Sequence, residues 1–339
     1  MAALVSLQDI ENAIEIINKS PMVYRTPLLQ NVQNMFGFGD QFKLHLKMEN
    51  MQNTGSFKTR GIVNQFAHIP AEVIGSKRNL VSISAGNYGK AFAIATKKQN
   101  LPATLCMPET APVNRVTLIE SLGVTVERMP SCNLQAAVDR HVSDDGMYFL
   151  HCFDDLNLIA GYGSAGVEIL EEIPNPDVVI VCCGGGGLVS GVAASIKLKG
   201  SKATRIFAVE PEGAPTMYLS KQQGHSVSVK SVNTIASGLA PPYAVLTCRE
   251  LDGLLIFSQQ EKLLFVMCKI TTVNFLKPFF LHRAVKTFYK AGLVVEPSGA
   301  AAFAALQSDK IPDLLPGSNV VVMVTGGNVT TEELCDLVR

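Results

Sequence analysis

Short apolar runs and amphipathic stretches alternate between residues 80 and 152, and this order constrains the fold more than any other feature. Four apolar runs predict strands, at residues 80–84, 103–107, 124–128 and 147–152. Helical periodicity predicts helices between them, at residues 88–98, 113–122 and 133–142. Because short connections join these elements, they predict a compact unit of four parallel strands with crossover helices.

A second α/β series follows the first. The patterns predict strands at residues 177–183, 206–209 and 319–325, and helices at 164–172, 188–198 and 298–306. The run D-V-V-I-V-C-C lacks polar alternation, which is typical of a strand buried on both faces. We therefore predict an α/β protein with a cleft between two domains. The small domain is residues 76–149, inserted into a large domain of residues 1–75 and 150–339.

Composition and charge exclude several classes of protein. Hydrophobic residues make up 47% of the 339 and charged residues 17%, which is typical of a globular chain and not of a disordered one. Because 29 basic residues balance 29 acidic ones, we expect no nucleic-acid partner. The eight cysteines include no C-x-x-C pair and the N-terminus does not resemble a signal peptide, so we expect a reducing compartment, the cytoplasm.

One segment, residues 262–282, does not fit the α/β series. It is strongly apolar but contains Lys269, Lys277 and Pro278, so its uncharged runs fall far short of the about 20 apolar residues that cross a bilayer. We therefore expect no contact with a membrane. We interpret the segment as an anomalous insertion in the large domain, from a retained intron or a gene-model error. Transcripts that carry it in frame, together with an active product, would contradict this interpretation.

A lysine follows an aromatic residue in the stretch N-T-G-S-F-K-T-R-G-I, at residues 53–62. An amine such as that of Lys58 forms a Schiff base with an aldehyde when its surroundings lower its pKa. A solvated surface lysine is the alternative, and this stretch alone does not decide between the two.

Two loops between a strand and a helix present backbone N–H groups that can bind an anion. S-A-G-N-Y-G, at residues 84–89, predicts a site for a substrate carboxylate, with an ordinary turn as the alternative. The second loop consists of Gly184, Gly185, Gly186 and Gly187 and predicts a phosphate site. It has neither the G-x-G-x-x-G spacing nor a P-loop lysine, which disfavours a dinucleotide or a nucleoside triphosphate.

Thr325 ends the last predicted strand, in V-T-G-G-N, where a hydroxyl can face the crevice that binds ligands in α/β proteins. A capping threonine is the alternative. An amine, an aromatic neighbour and a phosphate site together describe one ligand, and pyridoxal 5'-phosphate fits all three.

Six motifs occur in the order of one known family: S-F-K-T-R-G, S-A-G-N-Y-G, G-G-G-G-L, V-E-P-E-G-A, E-P-S-G-A-A and T-G-G-N. From about residue 8 onward, the chain resembles the pyridoxal-phosphate serine/threonine dehydratases and serine racemases. The resemblance implies the tryptophan synthase β-like fold, in which two domains of open, twisted parallel sheets with flanking helices hold the cofactor in the cleft between them. It also implies a homodimer that acts on a small amino acid.

The resemblance implies a role for each motif residue. Lys58 would carry the cofactor and remove the substrate's α-proton, and Ser84 is the second candidate catalytic residue. The other residues expected at the cofactor are Phe57, Asn87, Gly184, Gly185, Gly186, Gly187, Leu188, Gly238, Glu296 and Thr325. Those expected at the substrate carboxylate are Ser56, Ser84, Ala85, Gly86 and Asn87.

The implied reaction is the deamination of L-threonine, L-serine or both to a 2-oxo acid and ammonia. The alternatives are a serine racemase with side elimination and a cofactor-binding homologue with impaired catalysis. Racemases of this family carry two serines before Gly-Asn, and the second donates a proton to the opposite face of the substrate. Here Ala85 takes that place, which favours the dehydratase.

Two further features of the family differ here. Its divalent-metal site uses a glutamate, a backbone carbonyl and an aspartate, and Glu210 and Ala214 match the first two, whereas Thr216 replaces the third. Mg²⁺ is therefore expected only with water completing the oxygen ligands. Regulation by isoleucine is not expected, because the chain ends at Arg339, soon after T-G-G-N.

Overall fold

Two parallel sheets organise the computed structural model, which describes residues 5–223, 227, 229, 232–241 and 277–339. Its strands are β1 (Leu28–Leu29), β2 (Lys43–Met48), β3 (Leu80–Ile83), β4 (Ala103–Pro108), β5 (Thr125–Met129), β6 (Tyr148–Phe149), β7 (Val178–Cys182), β8 (Arg205–Val209) and β9 (Asn319–Val324). Its helices are α1 (Leu7–Lys19), α2 (Lys58–Ala67), α3 (Ala71–Gly75), α4 (Asn87–Gln99), α5 (Val113–Ser121), α6 (Leu134–Ser143), α7 (Leu156–Glu172), α8 (Gly187–Leu198), α9 (Thr216–Gln223), α10 (Pro278–Lys290), α11 (Pro297–Gln307) and α12 (Thr331–Val338).

The first sheet has the strand order β1-β2-β9-β7-β8 and the second the order β5-β4-β3-β6. All neighbours run parallel except β1, which pairs with β2 in the antiparallel direction. The predicted α/β fold with open parallel sheets is confirmed. Every strand of the second sheet lies between residues 80 and 149, while the domain boundaries themselves stay a prediction.

The first sheet is buried on both faces. Alternate residues of β7 contribute to two different apolar clusters, Val179 and Val181 to one and Val178 and Ile180 to the other. This alternation follows from the pleat of a strand, and it confirms the predicted doubly buried strand. The cluster on the side of α7 and α8 also includes Leu80 and Leu105 of the second sheet, so one continuous core joins the two sheets.

Two elements differ from the predicted bounds by more than one residue at an end. Helix α7 begins at Leu156 and not at residue 164, because the carboxylate of Asp155 caps it by accepting a hydrogen bond from the Leu158 N–H at 2.9 Å. The strand predicted at 147–152 shortens to β6. Of the anomalous segment, residues 262–276 lie outside the described residues, and the insertion hypothesis stays a prediction. Its last residues begin α10, where Leu281 is fully buried.

No helix in the described part of the chain has the length and apolar character needed to span a membrane.

A buried network of charges fixes the orientation of α2. The Arg60 guanidinium donates to Glu49 at 2.8 Å and to Glu168 at 2.7 Å, and the Lys47 amine also pairs with Glu168. Lys47, Glu49 and Arg60 are fully buried, and Glu168 is 13% exposed. Burial acts to raise the pKa of Glu49, but the adjacent Arg60 outweighs it and holds that pKa below its ordinary value. Two cations therefore balance two anions inside the core.

Replacing Arg60 by methionine leaves two buried carboxylates facing a single lysine. We expect Arg60→Met to lower the free energy of unfolding by about 3–5 kcal/mol, because one charge of the network loses its partner. Urea unfolding measures the change. Arg25→Met is the matched control, since Arg25 pairs with Glu171 at the surface and should contribute less than about 1 kcal/mol. Equal losses in both variants would contradict the role of the network.

Candidate active site

Backbone hydrogen bonds hold the lysine motif against the end of the last strand. The Phe57 N–H donates to the Thr325 carbonyl at 3.1 Å, and the Gly327 N–H donates to the Gly55 carbonyl at 2.9 Å. Ser56 forms an isolated antiparallel bridge with Gly326 between them. Two motifs that lie at opposite ends of the sequence therefore form one wall of a site.

Lys58 is the first residue of α2 and points its amine toward two aromatic rings. Nζ lies 4.9 Å from the ring centroid of Phe57 and 5.6 Å from that of Tyr162. Among the described residues, no carboxylate pairs with it. Burial lowers the pKa of Lys58, and the neighbouring Cys152 and Cys182 would oppose this only as thiolates. Burial raises the pKa of both thiols to about 11, so they stay neutral and Lys58 remains a weakly basic amine.

The glycine loop presents a row of backbone donors at the start of α8. Gly186 is the N-cap, with a φ of 90°, and the helix begins at Gly187. No described residue accepts a hydrogen bond from the N–H groups of residues 184–188. A Cβ at Gly185 would lie 2.6 Å from the Phe153 ring, so only glycine fits there. Unpaired N–H groups at a helix N-terminus fit a phosphate.

Three further predicted cofactor residues, Gly238, Thr325 and Leu188, lie on or next to the elements that carry the glycine loop. Gly238 lies against it, because a Cβ on Gly184 would be 2.9 Å from the Gly238 carbonyl oxygen. The Thr325 hydroxyl is 3.2 Å from Cys182 Sγ at the carboxyl ends of β9 and β7. Leu188 is buried in the first turn of α8. The amine, the N–H groups and this hydroxyl together fit the aldehyde, the phosphate and the ring nitrogen of pyridoxal phosphate.

The loop at residues 84–87 lines a cavity of about 220 Å³. Ser84 Oγ accepts hydrogen bonds from the N–H groups of Gly86 at 3.2 Å and Gly89 at 3.1 Å, which leaves its own hydrogen free to donate. Ala85 and Gly86 line the cavity, and so does Arg115 on α5. Ser56 Oγ is buried and has no hydrogen-bond partner among the described residues. The loop can therefore receive an anion.

An amide and carboxyl network borders the same cavity. Asn87 Nδ2 donates to Glu296, and Asn87 Oδ1 accepts from Asn328 Nδ2 at 2.7 Å. Lys90 donates to Asn328 Oδ1 at 2.7 Å. Burial raises the pKa of Glu296 to about 7, although the hydrogen bond from Asn87 and the charges of Arg115 and Lys90 act against it. Glu296 therefore titrates close to neutral pH.

The predicted metal residues lie apart from these groups. Glu210 is buried and caps α9, with its two carboxylate oxygens accepting from the N–H groups of Met217 at 2.8 Å and Tyr218 at 3.0 Å. The Thr216 hydroxyl donates to the Pro241 carbonyl at 3.2 Å, and Ala214 is buried beside them. Burial raises the pKa of Glu210 to about 8, which favours the neutral acid. These donors therefore do not make an evident Mg²⁺ site, and Mg²⁺ stays a prediction.

Sequence reasoning missed several residues of the site. Tyr162 on α7 faces Lys58, and Cys182 contacts Thr325, but neither belongs to a loop motif. Asn328 could have been found, because it is the polar end of T-G-G-N. Arg115 has no local pattern that distinguishes it from a surface arginine.

Comparison with known proteins decides the family. A family model described as pyridoxal-phosphate dependent enzyme matches residues 19–264. The chain belongs to this family of pyridoxal-phosphate-dependent enzymes. It is 32% identical to an L-threonine ammonia-lyase of Thermotoga maritima, over 96% of this chain and 76% of that one. It is 29% identical to a serine racemase of Dictyostelium discoideum, over 99% of both chains.

A solved structure extends the similarity to three dimensions. The structure of maize serine racemase superposes with a TM-score of 0.80 at 29% identity, and the match covers 98% of this enzyme and 97% of the maize chain. Pyridoxal phosphate is therefore the cofactor of this enzyme, in agreement with the residues that fit it.

The raised pKa of Glu296 makes the stability of this pyridoxal-phosphate-dependent enzyme depend on pH. Because the folded pKa, about 7, is above the ordinary value, the folded state binds the proton more tightly, and stability falls as the pH rises from about 4 to 8. We expect Glu296→Gln to remove about 3 kcal/mol of that fall. Urea unfolding at several pH values measures it. Glu120→Gln, at an exposed position, should retain the wild-type pH dependence.

Proposed function

We propose that this enzyme deaminates L-threonine, L-serine or both to a 2-oxo acid and ammonia. The observation that carries the proposal is the buried amine of Lys58, whose pKa is lowered and which has no carboxylate partner in the described part of the chain. An amine in that state can both carry the cofactor and accept a proton from an amino acid. The similarity to an L-threonine ammonia-lyase supports the substrate class.

We assign the cofactor contacts by chemistry. Lys58 would hold the aldehyde carbon, the N–H groups of residues 184–188 would bind the phosphate, and the Thr325 hydroxyl would meet the ring nitrogen. Asn87 uses one amide hydrogen for Glu296 and has a second for the ring's 3'-oxygen. Phe57 and Gly238 would lie against the ring. When bound, pyridoxal phosphate withdraws electrons from an attached amino acid and so makes its α-proton acidic.

The chain's own groups bind and orient the substrate. The N–H groups of Ala85 and Asn87, at the start of α4, would donate to the substrate carboxylate, which the positive end of the helix also attracts. The Ser84 oxygen holds this loop through its two accepted hydrogen bonds. The unpaired hydroxyl of Ser56 provides a further donor. These donors would fix the substrate carboxylate at the loop.

Proton transfer then uses a single face of the substrate. Lys58 would accept the α-proton, because burial lowers its pKa and so favours the neutral amine over the ammonium form. The Thr325 hydroxyl donates or accepts a hydrogen bond but carries no charge, so it does not hold the ring nitrogen protonated as a carboxylate would. A ring nitrogen that meets a neutral hydroxyl would withdraw electrons less strongly than one that meets a carboxylate, which would favour elimination.

Serine racemisation is the second candidate function, and one observation favours it. The Ser84 oxygen accepts two hydrogen bonds, which leaves the hydroxyl hydrogen available at the cavity. The relatives also include a serine racemase at 29% identity. Ala85, which has no transferable proton, favours the lyase. A homologue with impaired catalysis would form neither a 2-oxo acid nor D-serine, so an assay of these two products distinguishes it from both candidates.

We further propose that the enzyme is a cytoplasmic homodimer. The resemblance to the dehydratases and racemases supports the homodimer, and the absence of a C-x-x-C pair among the eight cysteines supports a reducing compartment. Light scattering should give twice the chain mass of 36.4 kDa.

Removing the amine tests the lyase proposal. We expect Lys58→Ala to abolish the visible absorbance of the bound cofactor and to lower 2-oxobutyrate formation from L-threonine by at least about 10²-fold. Lys98→Ala is the control, since Lys98 is exposed near the end of α4. Absence of 2-oxo acid from wild-type protein that binds the cofactor would support the impaired homologue instead.

A serine at position 85 tests the choice between lyase and racemase. We expect Ala85→Ser to increase D-serine formation from L-serine relative to pyruvate, because it adds a proton donor beside the cavity. Chiral chromatography and a pyruvate assay measure the ratio in both proteins. Wild-type protein that forms D-serine as fast as pyruvate would overturn the lyase assignment.

A further inference from the structure

A cysteine, a glutamate and a histidine converge on the second sheet, where their side chains do not line the cavity at residues 84–87. Cys106 on β4 and Glu127 on β5 are partners in the parallel register, so their side chains lie next to each other on one face. His141 on α6 lies across that face. The sulfur, a carboxylate oxygen and an imidazole nitrogen all lie within 4.8 Å of one another. In the part of the chain that the structure describes, this is the only such group of three.

The carboxylate of Asp145 contacts the ring nitrogen of His141 that faces away from Glu127. His141 Nδ1 is 2.7 Å from Asp145, and Nε2 is 3.1 Å from Glu127. With the proton on Nδ1 donated to Asp145, Nε2 presents its lone pair toward Glu127 and Cys106. This carboxylate–imidazole arrangement is the one that fixes the tautomer and orientation of histidine ligands in metal sites.

The cluster of Cys106, Glu127 and His141 is buried on the side of the thiol and exposed to solvent on the side of the carboxylates. Cys106 packs against Val81, Ala137 and Val138 and is fully buried. The side chain of Glu127 is 33% exposed, and that of Asp145 is 51% exposed. A hydrated cation can therefore approach from the side of the carboxylates.

We propose that Cys106, Glu127 and His141 bind a divalent transition metal ion of the zinc type, with water as the fourth ligand. One sulfur, one nitrogen and one carboxylate oxygen suit zinc, whereas Mg²⁺ and Ca²⁺ prefer oxygen ligands alone. A tetrahedral ion needs ligand atoms a few ångströms apart, as they are here. Binding joins β4, β5 and α6 through one centre and replaces the proton of the buried thiol.

The same residues have an alternative state without a metal. A protonated His141 would bridge Glu127 and Asp145 as an ion pair, and Arg140, whose guanidinium lies 3.9 Å from Glu127, would add a second positive charge. The thiol of Cys106 has no part in that bridge. Dependence of binding on Cys106 therefore distinguishes a metal site from a surface ion pair.

Metal titration of the cofactor-loaded enzyme tests the proposal. After dialysis against a chelator, we expect Zn²⁺ to bind at one site per chain by calorimetry and to raise Tm. Cd²⁺ should produce the ultraviolet charge-transfer absorbance of a cadmium–thiolate bond. Cys106→Ser should abolish that absorbance, and His141→Gln should weaken the binding. Cys132→Ser is the matched control, because Cys132 is an exposed thiol near the same sheet.

The variant Asp145→Asn tests whether Asp145 orients His141 for metal binding without being required for folding. Asp145 is half-exposed, so the variant should fold, and we expect a roughly tenfold weaker zinc affinity. Circular dichroism and the cofactor absorbance verify the fold of each variant. The proposal is overturned if wild-type enzyme binds no zinc, or if Cys106→Ser and Asp145→Asn bind it as wild type does.

Discussion

The pairing of residues 55–57 with residues 325–327 is the contact on which the active site depends. It joins the start of α2 to the end of β9, and α2 begins at Lys58, directly after the paired residues. The direction of the lysine side chain is therefore set by backbone hydrogen bonds. Because the carboxyl ends of parallel strands meet at one edge, the same contact brings Lys58 close to the glycine loop that follows β7.

Burial is the common physical cause of the chemistry in this site. It lowers the pKa of Lys58, and it raises the pKa values of Glu296, Cys152 and Cys182. Each shift moves the group toward its neutral form, since low-dielectric surroundings disfavour charge. The N–H groups of residues 184–188 have no acceptor among the described residues, so they would provide hydrogen bonds to the phosphate of a bound cofactor.

Strands, helices and ligand loops could be predicted from the sequence because each has a local pattern. The run at residues 177–183, the four glycines and S-A-G-N-Y-G each combine apolar periodicity with loop chemistry. The apolar pattern places the start of α7 at residue 164 and not at Leu156, because the cap that Asp155 provides is a side-chain hydrogen bond and leaves no apolar periodicity. The approach of Cys106 to Glu127 depends on strand register, and the position of Tyr162 depends on how α7 packs on α2; no local pattern encodes either. The catalytic roles of the site residues stay predictions.

The buried network of charges around Arg60 restricts which mutations this sequence can accept during evolution. Removing any one member leaves the network with one uncompensated charge, at a cost of up to about 3–5 kcal/mol against a typical folding stability of about 5–15 kcal/mol. Lys47, Glu49, Arg60 and Glu168 lie on three different segments, so one mutation cannot exchange them together. Descendants of this chain should therefore inherit the set intact. The arginine in the lysine motif would then be retained by selection for folding, even in a lineage that had lost its catalytic activity.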